Sequence, residues 1–563
     1  MRIIAVLLFF YFSICVHAQI DGHHYQIKKR VIAQNGAVSS AHPLASKAGI
    51  LVLKKGGNAF DAAIATQWAL AVVYPGAGNV GGGGFLVATM PNQPAIAIDY
   101  RETAPKAAFR DMYLDENGNP IPEKSLNGHL SVGVPGTVAG LFATHKFAKL
   151  SMKTLIEPAI ELAEKGFALT RSEAQQLNRT REAFIKYNTV SPVFVKEKPW
   201  QEGDILIQKE LANTLRRIRD KGHAGFYEGE TANLIVAEMQ RGKGLISVDD
   251  LKNYKAKFRK PLIFNYAGYK IVGMPMPSSG GLLLNQMLKM IEPYQIAKKG
   301  FQSPASVQLM IEAERRAFAD RAKYMGDADF TSVPLDTLRN QSYLQNRMKD
   351  YSPDKAGNSN ATKEGNIPGY ESEETTHLSV IDKFGNAVSV TTTLNGGYGS
   401  KTVVAGAGFL LNNEMDDFSV KPGSPNLYGA VGGKANAIEP GKRMLSSMSP
   451  TIVLKNNQPY LVVGTPGGTT IPTSVFQTIV NIIDFRMTTT DAVNKPKFHH
   501  QWLPDEVFIE KTFLPTTADA LRSMGYRLIS RGEIGRTEVI KVLSDGRFEA
   551  VADFRGDDSA EGF

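Results

Sequence analysis

A chain of 563 residues exceeds what one small core organises, which rules out a minimal binding module and leaves room for two to four domains or one large layered one. With 43% apolar and 21% charged residues it can bury a sizeable core, so wholesale disorder is excluded as well. The formal net charge of +9 comes from 64 Lys and Arg spread among 55 carboxylates, whereas a nucleic-acid binder would gather its charge into a patch or stripe.

The N-terminus carries one positive charge, Arg2, then an apolar run ending near Val16-His17-Ala18. Small residues at the −3 and −1 positions of a cut after Ala18, and a run shorter than the ~20 residues of a bilayer span, predict a cleaved signal peptide rather than an anchor. The mature protein is expected to be secreted or periplasmic, with no stable membrane span. The sole cysteine, Cys15, lies in this leader. The mature chain would have no disulfide, no cysteine nucleophile and no cysteine-based metal site, leaving stability to core packing.

Residues 58–73 are rich in helix formers and apolar on most sides, which predicts a buried helix stopped by Tyr74-Pro75-Gly76. The run Gly78-Asn79-Val80-Gly81-Gly82-Gly83-Gly84 has neither a following Gly-Lys-Ser/Thr nor a spaced dinucleotide fingerprint, so it reads as close backbone packing. Residues 310–321 place apolar side chains at helical spacing with charges elsewhere, an amphipathic support for a core. From 351 to 374 the composition turns to Ser, Asn, Asp, Lys, Gly, Pro and Glu, which predicts an exposed, mobile connector. It feeds a hairpin of strands at 375–382 and 387–395, turned by Lys383-Phe384-Gly385-Asn386. A period of two puts Val388, Val390 and Thr392 on one face as core, and Thr391, Thr393 and Asn395 on the other as a polar wall.

A threonine hydroxyl is a poor nucleophile, and one local means of activating it is a free α-amino group on the same residue, with a pKa near ~7.7–8.0. The chain must then be cut just before the threonine. A polar connector ending at Glu374 and a strand starting at Thr375 form the layout this requires. The Thr375 hydroxyl would attack the Glu374 carbonyl, an N-to-O acyl shift would follow, and water would hydrolyse the ester.

The stretch Thr375-Thr376-His377, Ser379-Val380, Gly385-Asn386, Val388-Ser389, Thr391, Thr393-Leu394-Asn395 and Tyr398-Gly399 resembles the signature of the gamma-glutamyltransferase family. Upstream, Gly57-Asn58-Ala59-Phe60-Asp61, the glycine run, Asp99-Tyr100-Arg101-Glu102, Val134-Pro135-Gly136 and Ala319-Asp320-Arg321 continue the likeness. Downstream, Leu411-Asn412-Asn413-Glu414-Met415-Asp416-Asp417-Phe418, Leu445-Ser446-Ser447-Met448-Ser449-Pro450, Thr465-Pro466-Gly467-Gly468 and His499-His500-Gln501 extend it over nearly the whole mature chain.

The resemblance implies that Thr375 is the nucleophile and the new N-terminus, and that the Thr393 hydroxyl orients it. Gly467 and Gly468 would stabilise the tetrahedral oxyanion through their N–H groups, a task suited to a residue without Cβ. Arg101, Ser446 and Ser447 would take the carboxylate of a γ-glutamyl head, and Asn395, Glu414 and Asp417 its ammonium. Residues 422–429 resemble a lid loop with Tyr428 as its aromatic plug. The pairs His23-His24 and His499-His500 lack the i, i+4 spacing and matched carboxylate of a zinc site, so no metal is expected.

The implied fold is α+β, a four-layer αββα sandwich of the N-terminal-nucleophile hydrolase type, self-cleaved into a large subunit (about 19–374) and a small one (375–563). The implied reaction takes a γ-glutamyl group from glutathione or another γ-glutamyl amide as a Thr375 ester, which water, an amino acid or a dipeptide then resolves. It needs no cofactor. The alternatives are a related acylase or polyglutamate-processing enzyme with the same nucleophile, which retention of Arg101, Glu414, Asp417 and the two serines argues against, and a non-catalytic exported binding protein.

Overall fold

Branched apolar residues alternate with Ser and Thr along Thr376–Asp382 and Ala387–Thr393, and these strands pair antiparallel with Thr376 opposite Thr392 and Ile381 opposite Ala387. Asp382 closes the turn between them: one carboxylate oxygen accepts from the Phe384 and Asn386 N–H groups at 2.8 and 3.1 Å. The other accepts from the Ala59 N–H at 2.8 Å, which ties the hairpin to the first turn of the Ala59–Val73 helix. The computed structural model describes residues 20–362, 375–421 and 432–563. The signal peptide expected at 1–18 lies outside them.

The hairpin occupies the middle of a seven-stranded antiparallel sheet, in the order Ser559–Gly562, Gly36–Ser40, Thr376–Asp382, Ala387–Thr393, Gly83–Thr89, Ile96–Asp99 and Lys257–Arg259. A second seven-stranded sheet runs Arg30–Ala33, Phe548–Val551, Glu538–Val542, Gln458–Gly464, Thr451–Lys455, Tyr269–Gly273 and Leu262–Tyr266. Phe85, Val87 and Ala387 of the first sheet meet Val272, Ile452, Val462 and Ile540 of the second in one buried layer.

On its outer face the first sheet packs Val38, Val380, Val388 and Val390 against the helices Pro43–Lys54 and Ala59–Val73. The second packs Ile271, Val453, Leu461 and Val463 against Gly280–Ile291, Pro304–Tyr324 and Thr470–Ile483. Helix, sheet, sheet, helix is the four-layer sandwich that the resemblance implied. No helix among the described residues is long and apolar enough to cross a membrane.

Ala59–Val73 is buried along its whole length, as its composition predicts, and is capped by a reciprocal pair between Asn58 and Asp61. The glycine run packs as close backbone: a Cβ on Gly82 would overlap the Thr393 carbonyl, and one on Gly83 the Glu102 carboxylate. Gly82→Ala is therefore expected to cost about 1–3 kcal/mol, measurable as a lower urea midpoint.

Two expectations change. The helix around 310–321 is not amphipathic toward solvent: Glu312, Glu314, Arg315, Arg316, Asp320 and Arg321 are all buried. Its polar side is covered by other chain segments, and Arg316 pairs with Glu312 at 2.5 Å and Asp350 at 2.7 Å. The connector is not free from 351 onward. Ala356 N–H donates to the Met524 carbonyl at 2.8 Å, Gly357 N–H to Glu312 at 3.0 Å, and the Trp502 indole to the Ser359 carbonyl at 3.0 Å. Small residues let this stretch lie flat on the core. Residues 363–374 are outside the described chain.

Candidate active site

The hairpin register sets the first piece of the site. One step beyond the Thr376–Thr392 pair, Thr375 and Thr393 stand opposite each other on the face turned toward the second sheet, with their hydroxyl oxygens 3.5 Å apart. Thr393 Oγ1 accepts from the Asn395 N–H at 2.7 Å, and the hydroxyl rotor can turn its own proton toward Thr375. Asn395 reaches this position with φ +74°, and its side-chain amide donates to the Asn413 carbonyl at 3.0 Å. Asn79, read in the sequence only as part of a packing loop, donates to the Thr393 carbonyl at 2.9 Å and accepts from the Thr137 hydroxyl at 2.6 Å. The rest of the polar wall is occupied: His377 Nδ1 lies 2.9 Å from Thr391 Oγ1 and Nε2 lies 3.2 Å from Ser379 Oγ.

Burial pushes the His377 pKa down to about 3, so the ring is neutral. Burial also lowers His499 to about 3 and His500 to about 4. For all three the unfolded chain binds the proton more readily, so their contribution to stability is complete above the unfolded pKa of about 6.5 and is lost as pH falls toward 3–4. Each such histidine should cost about 2 kcal/mol between pH 7 and pH 5. We expect His377→Gln to flatten the acid side of a stability-against-pH curve measured by urea titration.

The second piece comes from the other sheet. Its strand Gln458–Gly464 leads into Thr465-Pro466-Gly467-Gly468 and then the Thr470–Ile483 helix. Gly467 at φ +133° and Gly468 at φ +54° occupy backbone conformations that disfavour side chains. Neither N–H finds an acceptor among the described residues. Both stand at a helix N-terminus, where the dipole favours negative charge.

The third piece is charged. Arg101 follows the strand Ile96–Asp99 and is buried, with Nη1 2.6 Å from Glu414 and Nη2 bonded to Asp417. The set expected to hold a carboxylate and the set expected to hold an ammonium are thus joined to each other. Burial holds the Glu414 carboxyl well above the usual range and raises Glu102 to about 8, Arg101 opposing in both cases. Ser447 Oγ accepts from Arg321 Nη2 at 3.1 Å, and Ser446 Oγ from the Met448 N–H at 3.1 Å. Arg321 stood in a matched motif without an assigned role.

One cavity gathers Arg101, Thr375, Thr393, Asn395, Glu414, Asp417, Ser446, Ser447 and Gly468, together with Arg321 and Thr469, to which the sequence alone gives no role. Gly467 borders a second cleft on the other side of Thr375, beside Tyr74 and Arg536. Tyr428 and Glu374 lie outside the described residues. Among those described, no group of three or more His, Cys, Asp or Glu could hold a metal. His499 and His500 are instead taken up by Gln501 and Asp505.

A four-layer sandwich with a threonine at the head of a central strand defines the class of N-terminal-nucleophile hydrolases. Residues 45–563 match the Gamma-glutamyltranspeptidase family model, and the chain belongs to that family. It is 45% identical over 537 residues to the glutathione hydrolase proenzyme of Escherichia coli strain K12, covering 95% of this chain and 93% of that one. The crystal structure of Helicobacter pylori gamma-glutamyltranspeptidase aligns at TM-score 0.57 and 43% identity, over 60% of this chain and 96% of that one. The cephalosporin acylase of Bacillus halodurans aligns at TM-score 0.82 and 25% identity, over 99% of both.

Proposed function

We propose that the chain is a secreted gamma-glutamyltransferase and glutathione hydrolase that matures by cutting its own Glu374–Thr375 bond. The observation that carries this reading is the cavity itself, where two arginines, two carboxylates, two serines and a threonine pair meet beneath the N-terminus of the Thr470–Ile483 helix. A γ-glutamyl head is a zwitterion and needs both signs in one pocket. Arg101 with Ser446 and Ser447 suits its carboxylate, and Glu414 and Asp417 with Asn395 suit its ammonium. A head entering there would exchange its own charges for the Arg101–Glu414 and Arg101–Asp417 contacts.

With the head so placed, the γ-carbonyl lies against Thr375. The freed α-amine takes the hydroxyl proton as Oγ1 attacks, Gly467 and Gly468 donate to the oxyanion, and the amine returns the proton to the departing nitrogen. Water or the amine of an amino acid or dipeptide then opens the ester by the same steps in reverse. Thr393 keeps the nucleophile oriented, and Tyr428 would cover the pocket. Residues 19–374 and 375–563 would remain together because strands of both parts pair with each other within each sheet.

The acylase reading draws on the Bacillus halodurans neighbour, and the ammonium site separates the two. A glutaryl amide keeps one carboxylate but lacks the amine. The protein should turn over γ-glutamyl-p-nitroanilide at least about a hundredfold faster, by kcat/KM, than glutaryl-p-nitroanilide, because the glutaryl group leaves Glu414 and Asp417 without their cation. Equal rates would favour the acylase.

A further inference from the structure

A Gly-Gly pair has more backbone freedom than any other dipeptide, so the aim of the Gly467 and Gly468 N–H groups must be fixed by their neighbours. On the Gly467 side the fixing is direct: its carbonyl accepts from Thr470 N–H at 2.9 Å and Thr470 Oγ1 at 2.7 Å. On the Gly468 side the carbonyl takes, among the described residues, only a longer bond, 3.3 Å, from Ile471 N–H. The next residue, Thr469, is in helical conformation at the head of the Thr470–Ile483 helix.

A threonine in that position usually caps its own helix with its hydroxyl. Thr469 does not. Its hydroxyl donates at 2.5 Å to Gln501 Oε1, on a different segment. The same oxygen lies 2.9 Å from His499 Nε2, and His499 Nδ1 lies 2.9 Å from Thr473 Oγ1, one turn further along the helix. Since burial keeps His499 neutral, the ring has one N–H. Given to Gln501 from Nε2, it leaves Nδ1 to accept from the Thr473 hydroxyl, so every member of the chain is satisfied. The Gln501 amide then donates to the Leu503 carbonyl at 3.3 Å. Gln501 and His499 are buried and do not border the substrate cavity, whereas Thr469 does.

We propose that Gln501, held by His499, is a positioning residue for the oxyanion-binding glycines and acts through the Thr469 hydroxyl. It clamps the first turn of the helix from behind, so that the Gly468–Thr469 peptide cannot rotate its neighbours out of line. The inference rests on the oxyanion role proposed for Gly467 and Gly468. It gives His499 and Gln501 a purpose that neither a metal site nor plain core packing supplies.

Gln501→Met keeps the side-chain length and removes the acceptor. With γ-glutamyl-p-nitroanilide we expect kcat to fall about 10- to 100-fold while KM moves less than about threefold, since a small misplacement of a donor acts on the transition state. Affinity for a boronic-acid analogue of the γ-glutamyl group, whose adduct with Thr375 is tetrahedral, should fall by the same factor as kcat. Affinity for L-glutamate should not change. Gln501→Glu restores an oxygen in the same place and should recover most of kcat. Thr469→Val should reproduce Gln501→Met, Thr469→Ser should not, and the Thr469→Val/Gln501→Met double variant should be no slower than the slower single one. If Gln501→Met fails to fold, Thr469→Val carries the same comparison. Wild-type kcat in either variant, or a lower kcat with undiminished boronate affinity, overturns the proposal. A wild-type enzyme that forms no boronate adduct would instead remove the oxyanion assignment beneath it.

Discussion

Thr375→Ala is expected to yield a folded, full-length, uncut chain whose turnover of γ-glutamyl-p-nitroanilide is lower by at least about 10⁵-fold, as for loss of other activated hydroxyl nucleophiles. The fold should survive. Among the described residues the Thr375 side chain makes one hydrogen bond, at 3.5 Å to Thr393, and takes no share of the apolar layers. Denaturing electrophoresis and a steady-state assay read the two halves of the prediction together. An alanine variant that still splits, or still turns over near the wild-type rate, would move the nucleophile elsewhere. Thr393→Ala should be milder, because it only orients the hydroxyl it faces.

Arg101→Ala is expected to raise KM for γ-glutamyl-p-nitroanilide at least about a hundredfold while kcat changes less than about tenfold. Two losses combine. The substrate carboxylate loses a guanidinium fork, and Glu414 and Asp417 lose the cation that balances them in a buried site. Arg101→Lys should recover only part of the affinity, because an ammonium cannot reach both carboxylates with the same planar pair of donors. Unchanged kinetics in Arg101→Ala would place the γ-glutamyl head in another cavity.

The hairpin was legible because two local signals agreed there: period-two alternation set the faces, and Gly385-Asn386 after Asp382 set the turn. From those alone Thr391 and Thr393 fall on one side, where the second sheet faces them. The αββα layering came from family likeness, since the second sheet is assembled from strands as distant in sequence as Arg30–Ala33 and Phe548–Val551, whose pairing no local pattern encodes.

The same limit hid the detail of the site. Arg101 and Glu414 were each assigned a partner in the substrate, but their own ion pair spans more than three hundred residues of sequence and needs the fold to bring it together. Arg321 was matched by motif yet looks, on sequence, like one more charge on an amphipathic helix. It is buried because it lines the cavity, with its guanidinium donating to Ser279 and Ser447 rather than to solvent. Asn79 was masked by its glycine neighbours, whose steric role is real and local. Its hydrogen bonds to Thr392 and Thr393 join residues more than three hundred positions apart, which no local pattern encodes.

The proposed chemistry requires that Thr375 expose its own α-amine, and the direct measurement is N-terminal sequencing with intact mass of the smaller chain from purified, active protein. The sequence Thr375-Thr376-His377, with a mass running to Phe563, is the predicted result. A smaller chain that begins at any other residue, or full activity in a chain that was never cut, would contradict it.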